Sequence, residues 1–113
     1  MTNIAIGRQA EAAVAADLER QGYKILDLNW KTKLCEIDVI ARKDKIIYFV
    51  EVKYRAASGQ GSGFEYITPK KLGQMQFAAR LWNQTHDCNG DYRLLGAEVS
   101  GLNFEHINLV EIN

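Results

Sequence analysis

A chain of 113 residues has room for one domain and a single core. Apolar residues make up 47% and charged residues 25%, as in an ordinary globular protein, and no apolar run approaches the roughly 18 residues of a membrane span. Fourteen basic residues balance fourteen acidic ones, so bulk charge announces no polyanionic partner. The start, MTNIAIGRQA, lacks the basic and apolar blocks of a signal peptide, which makes the cytoplasm the expected location. Cys35 and Cys88 have neither metal-ligand spacing nor a disulfide framework and read as free thiols.

Charge is unevenly spread. Between Arg42 and Arg80 stand eight basic residues against three acidic ones, a segment of +5 in a chain whose remainder is −5. That asymmetry fits a basic face around an acidic pocket, and equally a mixed solvated surface.

In chain order, residues 4–21 predict a helix. The stretch is rich in alanine, and Ala10, Val14 and Leu18 repeat on one face. Gly22 stands where a left-handed C-cap belongs. Glu11 lies beside the apolar stripe, from where a carboxylate reaches toward a site or simply rests on the surface. Residues 23–30 form a short strand. Two more strands, 35–42 and 46–54, flank the turn Lys43-Asp44-Lys45. Residues 56–67 read as a long loop of the kind that is often functional. Thr68-Pro69 starts a helix to about residue 84, with Leu72, Met75, Ala79 and Trp82 on its apolar face. Lys70 and Lys71 lie in its first turn, the wrong end for the helix dipole unless an anion is near. Asn89-Gly90 marks a turn, and residues 92–99 and 104–112 are the last strands. The order is α-β-β-β-α-β-β: an α/β fold with a mixed sheet flanked by helices and a central hairpin buried by both.

The second hairpin strand ends in Glu51-Val52-Lys53. Alternation puts Glu51 and Lys53 on one face and Val52 on the other. Asp38 sits on the preceding strand. Two carboxylates and an ammonium near one end of a hairpin suit a divalent cation and a phosphate. In this reading Asp38, Glu51 and the Val52 carbonyl hold the metal, and Lys53 stabilises the reacting phosphate. Glu11 supports the metal and its water, and Arg55, Lys70 and Lys71 contact phosphates. Magnesium is the expected cofactor, with manganese accepted by the same oxygens. A structural ion pair, Glu51–Lys53 or Asp38–Lys53, explains the same residues.

At this point the chain resembles a known family. The stretches G-R-Q-A-E at 7–11, G-Y at 22–23, E-I-D-V-I-A at 36–41, F-V-E-V-K-Y-R at 49–55 and I-T-P-K-K at 67–71 are similar to successive motifs of the YraN-like bacterial proteins. These resemble archaeal Holliday junction resolvases within the PD-(D/E)xK nuclease superfamily. The likeness covers residues 4–85 well and the last strands loosely. It implies a restriction-endonuclease-like single domain over residues 1–113. Glu11 then matches the helix acid, Asp38 the metal-ligand aspartate, and Glu51 with Lys53 the E-x-K pair. Glu36 matches the acid of a G-E-I-D motif. The glycine usual before Glu36 is Cys35 here, and the arginine-rich second helix of the family reads K-K-L-G-Q-M-Q-F-A-A-R-L-W. Gln74 and Gln76 are accessory donors to phosphate or the metal's water, or exposed polar residues.

The expected function is a metal-dependent endonuclease acting on DNA before RNA, branched or otherwise structured, without a membrane partner and with a homodimer as the symmetric assembly. Two alternatives stay open: a catalytically weak module of the same fold that binds nucleic acid or a repair partner, and an RNA-directed nuclease.

Overall fold

The computed structural model describes residues 3–55, 67–88 and 90–112. The expected loop at 56–67 lies, but for Ile67, outside the described residues, as does Asn89 of the expected turn. The elements are α1 (Asn3–Arg20), β1 (Lys24–Lys31), β2 (Glu36–Lys43), β3 (Ile46–Tyr54), α2 (Pro69–Thr85), β4 (Tyr92–Ser100) and β5 (His106–Glu111). The order is the expected α-β-β-β-α-β-β. No helix among the described residues is long and apolar enough to cross a membrane.

The strands form one sheet in chain order, β1-β2-β3-β4-β5. Every neighbouring pair is antiparallel except β3 and β4, which α2 joins as a parallel crossover. The helices cover opposite faces. Ala10, Val14 and Leu18 of α1 pack with Val39, Ala41, Val50, Leu95, Ala97 and Val99. Met75, Ala78, Ala79 and Trp82 of α2 pack with Ile37, Ile40, Ile47, Phe49 and Leu94. Phe49 is fully buried, with its ring edge-on to Trp82 and Tyr92, both at 5.8 Å between centroids. Burying such a side chain stabilises the fold by about 1.5–3 kcal/mol.

The helix ends follow local chemistry. Thr68 accepts a hydrogen bond from Lys71 N as N-cap of α2, and Pro69 opens the helix. At the other end of α1, Gly22 takes φ +95. Its N–H donates to the Glu19 carbonyl at 3.0 Å, and Tyr23 N–H donates to the Leu18 carbonyl at 3.0 Å. That is a Schellman closure, and it needs a residue at ease in the left-handed region. Gly22→Ala is therefore expected to cost about 1–2 kcal/mol, read as a lower midpoint in denaturant melts.

The last strand starts later than expected. Phe104 is not extended: it takes φ +58 in a turn whose N–H donates to the Gly101 carbonyl at 3.1 Å. Its ring rests on Tyr54, 5.3 Å away, and this contact outweighs strand propensity there.

Candidate active site

The site grows from an irregularity in the central hairpin. The β2–β3 ladder runs from Lys43 opposite Ile46 to Val39 opposite Val50, and stops. Beyond it, β3 stays paired only to β4, with Glu51 opposite Gly96 and Lys53 opposite Glu98. Alternation also breaks at Asp38: Ile37 packs on the α2 face, whereas Val39, two residues on, packs on the α1 face. Asp38 thus lies between the faces, pointing along the sheet into the gap the ladder leaves. Its Oδ2 accepts from Val52 N at 2.8 Å and replaces the missing ladder bond. A hydrogen bond to a charged acceptor of this kind contributes about 1.5–3 kcal/mol.

Two further acids close on Asp38. Phe49 faces α2 and Val50 faces α1, so Glu51 faces α2, where its Oε2 stands 3.1 Å from Lys71 Nζ. Glu11 comes from α1, its side chain only 14% exposed. Its Oε1 is buried without a hydrogen-bond partner, and Arg8 Nη1 stands 3.7 Å off. Burial first, and the Asp38 charge second, push Glu11 up to about 7. The same two causes push Glu51 up to about 7, against the pull of Lys71. Burial raises Asp38 as well, opposed by the Val52 N–H and the Lys71 charge. The hydrogen bonds from Val52 N–H and from Glu11 favour the charged form of Asp38, against its burial.

These groups fit a hard divalent cation. All three offer oxygen, all resist ionisation while crowded together, and one buried oxygen lacks a donor. A cation, the Lys71 ammonium, already rests against Glu51. Among the described residues, no three acidic, histidine or cysteine side chains are drawn close enough to form a finished metal cage.

The other residues singled out in the sequence are placed as follows. Lys53 is exposed, and neither Glu51 nor Asp38 is ion-paired to it; Lys71 supplies that pair from α2. The alternative ion pairs, Glu51–Lys53 and Asp38–Lys53, thus do not form, and Glu51 pairs with α2 instead. Arg55 Nε lies 2.9 Å from Glu98 Oε2, which ties it to β4. Glu36 is exposed at the start of β2, near enough to raise Asp38 and Glu51 by its charge. Lys70 and Gln74 are exposed and line a groove with Lys71 and Glu36.

Asn29 escaped the sequence reading. It takes φ +54 in β1 at the level of Asp38, between the pairs Leu28–Val39 and Trp30–Ile37. Its amide stabilises the ionised form of Glu11. The only signal in the sequence is asparagine itself, depleted in strands and tolerant of the left-handed region.

A family model described as "Uncharacterised protein family UPF0102" matches residues 10–107. A UPF0102 protein of Vibrio vulnificus is 40% identical over 109 residues, covering 96% of this chain and 87% of that protein. One of Vibrio parahaemolyticus is 42% identical over 90 residues, 78% of this chain and 74% of its own length. One of Chlorobium phaeobacteroides is 34% identical over 111 residues, 96% of this chain and 87% of its own. The chain thus belongs to the UPF0102 family, the YraN-like group that its motifs resemble.

Proposed function

We propose that this protein is a divalent-cation-dependent endonuclease that hydrolyses phosphodiester bonds in DNA. The observation that supports it most is that Asp38 interacts with both Glu11 from α1 and Glu51 from β3, with Lys71 held against Glu51. Asp38 and Glu51, with the Val52 carbonyl, would hold magnesium or manganese. The cation supplies charge neutralisation at phosphate and acidification of water. Glu11, with a pKa near ambient pH, is suited to accept and release a proton beside Asp38. Lys53, exposed on the Glu51 side of β3, reaches outward to the phosphate being attacked. Lys71 neutralises Glu51 from α2 and would also face a phosphate bound there. Arg55 is anchored on Glu98, so it positions the substrate backbone rather than reacting. Glu36 and Gln74 flank the approach.

Calorimetric titration of magnesium and manganese into wild type, Glu51→Ala and Lys53→Ala tests this, followed by incubation with single-stranded, duplex and four-way-junction DNA and with RNA. Wild type is expected to bind cation and cut DNA. Glu51→Ala loses both. Lys53→Ala keeps cation binding and loses cleavage by roughly 10²–10³-fold. Wild type that takes up no cation refutes the proposal. The Lys71–Glu51 pair favours one other reading, a binding module whose acid is already neutralised within the fold. Nucleic-acid affinity indifferent to magnesium, with no cleavage, is its signature.

A further inference from the structure

A groove on the described surface lies beside the site, with Glu36 and Lys71 in its lining. It measures about 590 Å³ and is bounded by the turn between β1 and β2 on one side and the first half of α2 on the other. Lys31 and Lys33 stand on the turn side, and Lys70 and Lys71 on the helix side. Lys71 is committed to Glu51, whereas Lys31, Lys33 and Lys70 are exposed and have no ion-pair partner among the described residues. Two large apolar side chains share the same groove: Leu34, 75% exposed, and Phe77, 42% exposed. Gly73 leaves space on the α2 wall, with nothing within 4 Å of where a Cβ would stand.

The turn holds its shape by itself. Thr32 Oγ1 accepts from Leu34 N at 3.0 Å and from Cys35 N at 3.2 Å, and Thr32 N donates to the Cys35 carbonyl at 2.9 Å. Lys33 and Leu34 are thereby held outward at the tip. One end of the groove is Glu36 and Lys71, the two residues whose charges act on Asp38 and Glu51.

We infer that this groove takes a single unpaired DNA strand and leads it to the carboxylates. Three unpaired ammonium groups around an apolar ring and an exposed leucine match a ligand with phosphates on one side and unstacked bases on the other. A double helix hides its base faces, so Phe77 and Leu34 gain nothing from it. Among the described residues Glu36 is the one acid lining the groove, at the end next to Lys71 where a cation would stand between it and the strand. The inference rests on the nuclease reading only for which end of the groove reacts. It names the substrate class as DNA with an unpaired segment, such as a flap or splayed arm, cut beside that segment.

The test is anisotropy of fluorescein-labelled oligothymidylate and of a blunt duplex of equal length, in EDTA so that nothing is cut. Wild type is expected to hold the single strand at least tenfold more tightly than the duplex. The double variant Lys33→Glu with Lys70→Glu weakens that binding at least tenfold. It also flattens the slope of log affinity against log salt by about 1.4, or roughly 0.7 per lost phosphate contact. Lys33→Gln with Lys70→Gln weakens it in the same direction. Phe77→Ala weakens it between about 5-fold and about 150-fold with the salt slope unchanged, as loss of one stacked base requires. Duplex bound as tightly as single strand, or lysine variants indistinguishable from wild type, overturns the inference. Because binding is read without metal, loss of cleavage alone leaves this result standing, and loss of strand binding alone leaves the carboxylate chemistry standing.

Discussion

Asp38→Asn is expected to give a folded domain that no longer takes up magnesium and cuts at least ~10³-fold more slowly. The asparagine amide oxygen still accepts from Val52 N, now 2.8 Å from Asp38 Oδ2, so the break in the β2–β3 ladder stays closed. What disappears is one negative charge that acts on both Glu11 and Glu51. Glu11 and Glu51 then lose the repulsion that helps hold them near 7, and both ionise more readily. Asp38→Ala differs in one respect. It leaves Val52 N–H unsatisfied inside the sheet, at a cost of about 1–3 kcal/mol, partly offset by the relief of repulsion. Calorimetry with magnesium and thermal melts of both variants separate the two effects. Magnesium uptake by Asp38→Asn equal to wild type would place the cation elsewhere and sink the assignment.

The second large effect is on stability and its dependence on pH. Glu51 has an ordinary carboxyl pKa of 4.5 and is held up to about 7 in the folded chain. Between those values the native state binds more protons than the unfolded state, so stability falls as pH rises. The contribution is fully present below about 4.5, is lost as pH climbs to about 7, and then levels off. Its size is about 3 kcal/mol for a shift of that length. Glu51→Gln removes the titration, so at pH 8 the variant should be more stable than wild type by up to that amount. At pH 4 the two should be nearly equal. Glu11→Gln follows the same course, and the pair falls short of additivity because both lean on Asp38. Denaturant melts of the three proteins from pH 4 to pH 8, in EDTA, read this directly. A gap between Glu51→Gln and wild type that does not widen with pH contradicts the crowded site. Magnesium at pH 8 should reverse the order, since wild type gains a ligand that the variant cannot bind.

Much of the fold was legible along the chain because it rests on local chemistry. Ala10, Val14 and Leu18 repeat at helical spacing and are all fully buried. Gly22 and Thr68-Pro69 end and begin helices where their backbone preferences require it. The strand Ile46–Tyr54 is β-branched and aromatic, and is a strand over that span. Phe104 was misread because a ring contact with Tyr54 and a left-handed turn lie outside any local pattern.

The candidate site divides in the same way. Glu11, Asp38, Glu51 and Lys53 could be picked out because ionisable residues beside apolar stripes are costly and invite a reason. That two of the three acids reach about 7 could not be read from the chain, because burial and mutual repulsion arise only when α1, β2 and β3 are packed. Nor could the role of Lys71. It lies 20 residues beyond Glu51 in the chain, and only the parallel crossover of α2 brings its ammonium to 3.1 Å from that carboxylate. The sequence by itself determined which residues can bear charge and where helices and strands start and stop, since those follow from side-chain chemistry and backbone preference. The packing of α1 and α2 on opposite faces of a sheet whose central ladder ends early decided which charges meet. Coulomb energy and desolvation depend on distance through space, and that distance is a property of the folded chain alone.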